Sequence, residues 1–482
     1  MKKIAFIAVL LTASALCAAK VELPAVIGSN MVIQQQADAP IWGKAAPRAT
    51  VTVTTGWNSE KVTAKADKDG RWSLTVKTPA ASLTSYSISI SDGEEVVLDN
   101  VLVGDVWFCS GQSNMDMRMT GNNGQPVEGS ADAILGAKPS RPIRIFKVGR
   151  ATSAQKCAEA KGAWRKTTPD VVSNSSAVAY FFADYIQNIL EIPIGIVQSS
   201  WGGSTVEAWM SEETINKSFA GKFDMSHITK GADLGKRKAH QVPCMLYNGM
   251  VAPLEPMKIK GILWYQGCSN RKDYADYAQR QAALVQQIRK GFGSPDAPFY
   301  FVQIAPYAYG APDDCLSAYL QEAQEKSLDL IPGSGMATTV DIGEKSLIHP
   351  AKKKEVGVRL AWLALLKTYG ISKLEATAPR VKDIAFNGGK AEITFTAQKL
   401  GLVPRSGNIP NFELAGSDKV FHGASARYDS KKGIVVVSSG EVPSPVAVRY
   451  CWKNWCVGEL KNTFGVPVGP FRSDDWPYEP RK

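Results

Sequence analysis

The middle of the chain alternates short, continuously apolar segments with longer segments in which apolar residues recur at helical spacing. The helical spacing is clearest over residues 176–190, 274–291 and 316–328. Short apolar strands separated by helices are typical of a parallel sheet that is covered on both faces. The sequence therefore predicts an α/β domain over residues 101–375. The segments predicted as its strands are "DVWFC", "IRIFKV", "IPIGIVQSS", "IKGILWYQG", "PFYFVQI" and "GMATTV".

Shorter strand-like segments, in which apolar and polar residues alternate, occupy both flanks of this region. Residues 20–100 contain "TVTVTT" and "RWSLTVKT", separated by the turn signals "DKDG" and "SDG". Residues 376–482 contain "AEITFTA" and "VAVRYCW" in the same style. We predict an N-terminal β-sandwich and a C-terminal β-rich domain. Three folded domains agree with what a chain of 482 residues normally forms.

The first residues have the pattern of a secretory signal peptide over residues 1–19. Lys2 and Lys3 precede an apolar run, and small residues follow it up to Ala19. A membrane anchor is disfavoured because about 20 apolar residues are needed to span a bilayer. A lipoprotein modified at Cys17 is also disfavoured, since Leu16 is too bulky for the position before a lipidated cysteine. We expect a periplasmic or secreted protein without a membrane span.

The formal net charge is +11, yet the basic residues are scattered apart from the run at residues 352–354. They do not interleave with aromatic residues as in a nucleic-acid groove, so we expect no nucleic-acid partner. A solvated surface that attracts acidic glycans fits the charge better. Cys451 and Cys456 are candidates for a disulfide, although their spacing alone does not decide it. No C-x-x-C metal motif is present, and we expect neither a metal nor a cofactor.

Polar residues and glycines follow four of the predicted strands. The carboxyl ends of parallel strands meet at one edge of a sheet, where the active sites of such sheets lie. Each of these residues also has an ordinary explanation as a turn former or a helix cap. Together they offer a nucleophile, amide donors and a base, and this combination favours catalysis. The residues are Ser113, the pair Gly202–Gly203, Asn270, and Asp341 with His349.

His349 is the one histidine, among His227, His240, His349 and His422, that follows a strand of the alternating region. Pro350 fits the first position of the next helix, which makes His349 the predicted cap of that helix. The positive end of the helix dipole then lowers the pKa of His349. A general base has to begin neutral, so this position is compatible with catalysis.

The motifs at these strand ends are similar to those of the sialate O-acetylesterase family, a branch of the SGNH-hydrolase superfamily related to the acetylxylan esterases. The resemblance implies a three-layer α/β/α catalytic domain with a parallel sheet, flanked by β-sandwich domains. It also implies hydrolysis of O-acetyl esters on sialic acids or related glycans. The matching segments follow the expected order along nearly the whole chain: "CSGQSNM", "WGGSTVEAW", "WYQGCSN", "DIGEKSLIHPAKKKEVGVRLA" and "GPFRSDDW".

The resemblance also implies a role for each motif residue. Ser113 is the expected nucleophile and His349 its general base. The backbone amides of Ser113 and Gly203, with the side-chain amide of Asn270, are the expected oxyanion hole. The expected substrate contacts are Gln112, Trp201 and Gln266.

Two positions depart from the family pattern, and both concern the acidic partner of the histidine. Relatives have Glu where this chain has Cys268, and many SGNH enzymes have Asp where it has Ser346. Asp341 matches the family's acidic position at a strand end and is the candidate partner. The alternative is a backbone carbonyl, which leaves a Ser–His dyad. Loss of the acid can cost on the order of 10⁴ in rate.

The favoured function is that of a serine carbohydrate esterase that works through an acetyl-enzyme and acts on an acetylated glycan. Acetylxylan or another acetylated polysaccharide is the alternative substrate. A catalytically impaired glycan-binding homologue is the alternative function, because the usual acid is absent. Metal-dependent deacetylation is disfavoured because the sequence lacks clustered His and Asp ligands. The sequence indicates no oligomeric state.

Overall fold

The structure is a computed structural model that describes residues 20–230, 234–396 and 399–480. The predicted signal peptide, residues 1–19, lies outside the described residues. The strands are β1 (Val32–Gln34), β2 (Asp38–Lys44), β3 (Thr50–Thr55), β4 (Lys61–Lys65), β5 (Arg71–Lys77), β6 (Ser82–Ser91), β7 (Glu95–Gly111), β8 (Ile143–Lys147), β9 (Trp164–Lys166), β10 (Ile194–Ser200), β11 (Gly261–Tyr265), β12 (Phe299–Val302), β13 (Ser334–Ala337), β14 (Val381–Asn387), β15 (Lys390–Phe395), β16 (Leu402–Val403), β17 (Phe412–Ala415), β18 (Phe421–Asp429), β19 (Ile434–Ser438), β20 (Ala447–Tyr450), β21 (Lys461–Asn462) and β22 (Phe471–Arg472). The α-helices are α1 (Ser113–Asp116), α2 (Ser130–Leu135), α3 (Pro169–Asn174), α4 (Ala177–Leu190), α5 (Glu212–Ser218), α6 (Ser226–Lys230), α7 (Tyr277–Gly291), α8 (Leu316–Leu330) and α9 (Lys353–Lys367).

The central sheet has the strand order β13-β12-β11-β7-β10-β8-β9. Its neighbouring strands are parallel, except that β9 pairs antiparallel with β8 at one edge. The predicted mixed α/β architecture with a large central sheet is therefore confirmed. β7 comes first along the chain but lies between β10 and β11. The winding direction thus changes at β7, which makes its carboxyl end a topological switch point.

Successive residues of β7 enter two different apolar cores, one on each face of the sheet. Trp107 and Cys109 lie in a core with residues of α4 and α9, whereas Val106 and Phe108 lie in a core with residues of α7. Both faces are therefore shielded from water, so the strand can be apolar at every position. This burial explains why the central strands appear in the sequence as continuous apolar runs.

β7 is 17 residues long and takes part in two kinds of pairing. Its first part pairs antiparallel with β6 and parallel with β1, next to β3 and β4 of the N-terminal region. Its second part pairs with β10 and β11. One strand thus runs without interruption through residue 100, where the sequence places the end of the N-terminal domain. β2 and β5 form a separate antiparallel pair.

The C-terminal region contains a seven-stranded sheet in the order β14-β15-β19-β18-β17-β20-β22, with an apolar core of its own. Cys451 and Cys456 are both buried there as free thiols, so the candidate disulfide is not formed in this structure. None of the described helices has the length and apolar character that a membrane crossing needs.

Candidate active site

The strands β7, β10 and β11 end at the same level of the sheet. Gly111 lies opposite Ser200 on one side and opposite Tyr265 on the other. The main chain continues this pairing just beyond the strands. The N–H of Trp201 donates to the carbonyl of Gly111 at 3.1 Å, and the N–H of Gln112 donates to the carbonyl of Tyr265 at 2.9 Å. The three loops that follow therefore begin side by side at the switch point.

Gly111 allows the chain to turn sharply at the end of β7. Its φ is 137°, and a Cβ at this position would lie 2.2 Å from the carbonyl oxygen of Tyr265. A side chain is thus excluded there. Two residues later Ser113 begins α1, so its backbone N–H has no partner within the helix. A Cβ on Gly202 would lie 3.3 Å from the Cβ of Ser113, which places the glycine pair directly against the serine.

The segments that carry Ser113 and His349 are joined by a hydrogen bond. The Nδ2 of Asn114 donates to the carbonyl of Ile348 at 3.1 Å, across 234 positions of sequence. The residue after the serine is thus bonded to the residue before the histidine. The structure brings these two segments together, as their positions at strand ends lead one to expect.

His349 is not the cap of α9, and this prediction from the sequence was wrong. The helix begins at Lys353, with Lys352 as its N-cap residue. The N–H of Ala351 is instead bound by the carboxylate of Glu344 at 2.6 Å, so the main chain before α9 forms a loop. The pKa of His349 is lowered nevertheless, first by burial of the ring and second by the positive charge of Lys353.

The hydrogen-bond partner of the His349 ring is a glutamine. Nδ1 of His349 lies 2.8 Å from Oε1 of Gln125. An amide oxygen can only accept, so Nδ1 carries the proton and Nε2 has the free lone pair. No hydrogen bond of Nε2 to another described residue is present, which leaves this nitrogen available as a base.

Asp341, the candidate acidic partner, is engaged elsewhere. Its carboxylate accepts from Nη1 and Nη2 of Arg359 at 2.8 and 2.7 Å and from Nζ of Lys461 at 2.9 Å. Burial alone would raise the pKa of Asp341, but the hydrogen bonds and charges of these two cations outweigh it and hold the pKa low. The structure therefore does not bring Asp341 and His349 together in a hydrogen bond. The alternative, a backbone carbonyl bonded to the histidine ring, is not found within residues 20–230, 234–396 and 399–480 either.

Cys268 occupies the position where the family resemblance leads one to expect Glu. Burial raises the pKa of its thiol, against the opposing effects of a hydrogen bond with Tyr309 and the charge of Arg271. The thiol is therefore protonated at neutral pH and carries no negative charge toward the histidine.

The side chain of Asn270 is fully buried and fully hydrogen-bonded. Its Oδ1 accepts from the N–H of Val206 at 3.0 Å and from Nε2 of Gln266 at 2.7 Å. Its Nδ2 donates to Glu207 at 3.1 Å and to Asp273 at 3.0 Å. Asn270 thereby fastens the loop after β11 to the loop after β10. To donate to an oxyanion as well, it has to release one of these two carboxylates.

Two of the expected substrate contacts, Gln112 and Gln266, are buried amides that support the loops. Oε1 of Gln112 accepts from the N–H of Gly267 at 2.9 Å. Nε2 of Gln266 donates to the carbonyl of Ser204 at 3.1 Å, and its Oε1 accepts from the hydroxyl of Tyr277 at 2.7 Å. These bonds account for the amide oxygen of Gln112 and for both ends of the Gln266 amide through contacts within the protein.

Trp201, the third expected contact, is only partly buried and has an aromatic and a cationic neighbour. The ring of His240 lies parallel to it, with the centroids 5.4 Å apart and an angle of 14° between the planes. The guanidinium carbon of Arg150 lies 5.4 Å from the Trp201 centroid. Burial lowers the pKa of His240, and the charges of Lys238 and Arg150 lower it further. An aromatic ring with cationic neighbours therefore adjoins the glycine pair.

The sequence did not point to Gln125, Arg150 or His240. Gln125 and His240 do not follow a central strand directly, and Arg150, although it comes shortly after β8, is an ordinary surface residue type. The roles of all three depend on how separate loops pack. A turn signal, "NNG", immediately precedes Gln125. It predicts a rigid turn, but it does not show what the next side chain contacts.

An open α/β sheet that gathers serine, amide and histidine groups at its switch point can support ester hydrolysis. Residues 103–363 match the family model described as carbohydrate esterase, sialic acid-specific acetylesterase. The chain belongs to this family. The sequence-based recognition of the family is thus confirmed.

Relatives along nearly the whole chain have the same activity in their names. The chain is 28% identical over 491 residues to the sialate O-acetylesterase of Rattus norvegicus, covering 89% of each protein. It is 27% identical over 468 residues to that of Homo sapiens, covering 89% of this chain and 87% of the human protein. Among solved structures, a carbohydrate acetylesterase from Xanthomonas citri superimposes with a TM-score of 0.85 at 35% identity, covering 95% of this chain and 100% of the other. The chain is accordingly a carbohydrate esterase, a carboxylic ester hydrolase.

Proposed function

We propose that this carbohydrate esterase is a serine enzyme that removes O-acetyl groups from sialic acids or related acetylated glycans through an acetyl-enzyme. The observation that carries the proposal is the hydrogen bond from Asn114 to Ile348, which holds the Ser113 helix against the His349 loop. The bond from Nδ1 of His349 to Gln125 supports it, because it leaves Nε2 as the basic nitrogen.

In the proposed reaction, Oγ of Ser113 attacks the acetyl carbonyl while His349 takes up the hydroxyl proton. The tetrahedral intermediate collapses, and His349 gives this proton to the sugar oxygen as it leaves. Water then attacks the acetyl-enzyme with His349 again as the base, and acetate is released with Ser113 restored. Base catalysis of this kind contributes about 10² to 10⁴ in rate.

The proposed oxyanion hole consists of the N–H groups of Ser113 and Gly203, with Nδ2 of Asn270 as the third donor. For this third bond, Asn270 exchanges its contact with Asp273, whose side chain is 38% exposed, and keeps its bond to Glu207. Water can solvate the released Asp273 carboxylate. Each donor is worth about 3 kcal/mol of transition-state stabilisation.

The charge around the serine favours an acidic sugar over a neutral polysaccharide. Arg150, with a side chain that is 54% exposed, lies beside Trp201 and pairs with Asp116. Burial lowers the pKa of Lys147, the charge of Asp116 opposes this, and the charges of Arg118 and Arg150 lower it further, so these charged groups lie near one another. On this side of the serine the three cations outnumber the carboxylate of Asp116, while the carboxylates of Glu207 and Asp273 are bonded to Asn270. A sialic acid carboxylate is attracted to such a patch, whereas acetylxylan offers no charge to it.

The test is release of acetate from O-acetylated sialic acid by purified Ser113→Ala and His349→Ala variants. We expect both to lose activity while keeping the thermal stability of the wild type. Ser269→Ala, a serine on the neighbouring loop, is the matched control and should remain active. Hydrolysis by Ser113→Ala at the wild-type rate would show that the serine mechanism is wrong.

A catalytically impaired glycan-binding protein is the second candidate, because no carboxylate among the described residues is bonded to His349 and Cys268 stands where the family resemblance implies Glu. Calorimetric titration with the same sialoglycan separates the two functions. Tight binding by the wild type without release of acetate supports the binding protein, and turnover supports the enzyme.

We also propose a layer arrangement for the α/β region and a targeting role for the first residues, as the sequence indicates. The α/β region follows the three-layer SGNH arrangement between the two β-rich domains, and residues 1–19 direct the chain to the periplasm or the exterior. N-terminal sequencing of the exported protein tests the second point, since cleavage after Ala19 leaves Lys20 as the first residue.

A further inference from the structure

We propose that Gln125 is the positioning residue of His349 and occupies the place that a carboxylate holds in other serine hydrolases. This inference rests on the proposed serine mechanism. It starts from the 2.8 Å contact between Oε1 of Gln125 and Nδ1 of His349. A group on Nδ1 fixes both the tautomer and the orientation of the imidazole, and these decide whether Nε2 faces the nucleophile as a base.

Gln125 lies at the end of a tight turn that restrains its side chain. The main chains of Asn122 and Gln125 bond to each other in both directions at 2.9 Å, and Gly124 supplies the positive φ of 69° at the third position. Nδ2 of Asn122 also donates to Oε1 of Gln125 at 3.3 Å. A Cβ on Gly121 would lie 2.3 Å from the carbonyl of Gln125, so the preceding chain packs closely on the turn. The side-chain amide of Gln125 is thus restrained by hydrogen bonds within its own turn as well as by its contact with His349.

The loop that carries Gln125 is fastened to the loop that carries His349. The N–H of Glu128 donates to the carbonyl of Ala351 at 3.0 Å. On the other side of the turn, the N–H of Met119 donates to the carbonyl of Ser175, next to α4, at 2.9 Å. The glutamine and the histidine therefore keep their relative position through the main chain. Such support is expected of a group that orients a base.

An amide can orient the imidazole but cannot neutralise the imidazolium that forms when Ser113 is deprotonated. The charged side chains near the ring do not supply the missing charge. Lys353, which is protonated below about pH 7, lowers the pKa of His349 there. Glu344 is bonded to the N–H of Ala351, and Asp341 is bonded to Arg359 and Lys461. The base is therefore well oriented but weak, and a carboxylate at position 125 should strengthen it.

The experiment compares Gln125→Ala and Gln125→Glu with the wild type in acetate release. Gln125→Ala should lower kcat by about 10²-fold, well short of the roughly 10⁴-fold loss of a triad carboxylate. KM should be unchanged, because the proposed role of Gln125 is to orient the imidazole and not to bind the sugar. Gln125→Glu should have a kcat at least as high as that of the wild type, in contrast to Gln125→Ala. It should also move the acid limb of kcat/KM to higher pH by roughly one unit, since a nearby negative charge raises the pKa of the imidazole. Asn123→Ala, at an exposed position of the same turn, is the control and should behave as the wild type.

Thermal melting and ¹⁵N spectra of the histidine rings show whether a variant is folded and which ring nitrogen of His349 carries the proton. We expect the Nδ1–H form in the wild type and in Gln125→Glu, and a mixture of tautomers in Gln125→Ala. The inference is overturned if Gln125→Ala keeps the wild-type kcat, pH profile and tautomer. In that case inactive Ser113→Ala and His349→Ala variants still leave the serine mechanism standing, whereas an active Ser113→Ala variant removes the mechanism itself.

Discussion

Asp341 and Arg359 form a two-pronged ion pair in which each carboxylate oxygen accepts from one guanidinium nitrogen, at 2.8 and 2.7 Å. The side chains are only 5% and 8% exposed. Lys461 of β21 adds a third contact at 2.9 Å. The carboxylate that follows β13 therefore binds a cation of α9 and a cation of the C-terminal region.

Asp341→Asn should destabilise the fold and leave the chemistry nearly intact. Removing one partner of a buried pair costs about 3 to 5 kcal/mol. Because the pKa of Asp341 is lowered in the folded state, its contribution is present above the unfolded pKa of about 3.9 and is lost as the pH falls through the folded pKa. Urea denaturation and acetate release on the same samples measure both effects. A large loss of kcat at unchanged stability would instead make Asp341 the acidic partner of His349.

Lys353→Met should stabilise the protein, and most strongly below neutral pH. Burial lowers the pKa of Lys353 to about 7, so at lower pH the folded state has to hold a charge inside the protein. The unfolded chain binds this proton up to about pH 10.4, so the wild type gains stability as the pH rises from about 7 to 10. The gain from the substitution should be about 3 to 5 kcal/mol at pH 6, less the lost hydrogen bond to Pro350. Urea denaturation of both proteins at pH 6 and pH 9 measures the difference. A gain that does not depend on pH would argue against a neutralised lysine.

The acid limb of kcat/KM should lie below about pH 6.5, which is the ordinary pKa of histidine. The reason is that burial and the charge of Lys353 lower the pKa of His349. A base with a lowered pKa stays neutral, and therefore active, to lower pH. Lys353→Met removes one of the two causes and should move this limb upward. A pH profile with a soluble acetyl ester detects the shift. A limb above pH 7 in the wild type would contradict the assignment of His349 in this environment.

Arg150→Ala should weaken binding of acidic sugars selectively. A hydrogen bond to a charged group is worth about 1.5 to 3 kcal/mol, so KM for O-acetylated sialic acid should rise by about tenfold or more. The kcat/KM for p-nitrophenyl acetate, which has no carboxylate, should hardly change. Arg150→Lys keeps the charge and should recover part of the affinity. Equal losses on both esters would mean that Arg150 supports the loop through Asp116 instead of binding the sugar.

The sequence predicted the sheet and the grouping of motifs because both follow from local patterns. Continuous apolar runs gave β7, β10 and β11, and parallel strands bring their carboxyl ends to one edge. The patterns could not show which side chain reaches Nδ1 of His349. Gln125 reaches it because the loop after α1, which is remote from His349 in sequence, packs against the His349 loop.

Asp341 and the start of α9 show the same limit. Asp341 is near His349 along the chain, but Arg359, one helix further on, attracts its carboxylate. Pro350 is compatible with a helix start, yet the bonds of Ala351 to Glu344 and Glu128 hold this segment as a loop until Lys353. In both places tertiary contacts outweigh a local preference.

Because β7 belongs to both the N-terminal strands and the central sheet, the N-terminal region is not a detachable module. A truncation that removes residues up to 100 cuts through the strand that presents the serine and leaves its remaining part without the neighbours β6 and β1. A transplanted hydrolytic region therefore has to include all of β7 together with β6 and β1, the strands that pair with its first part.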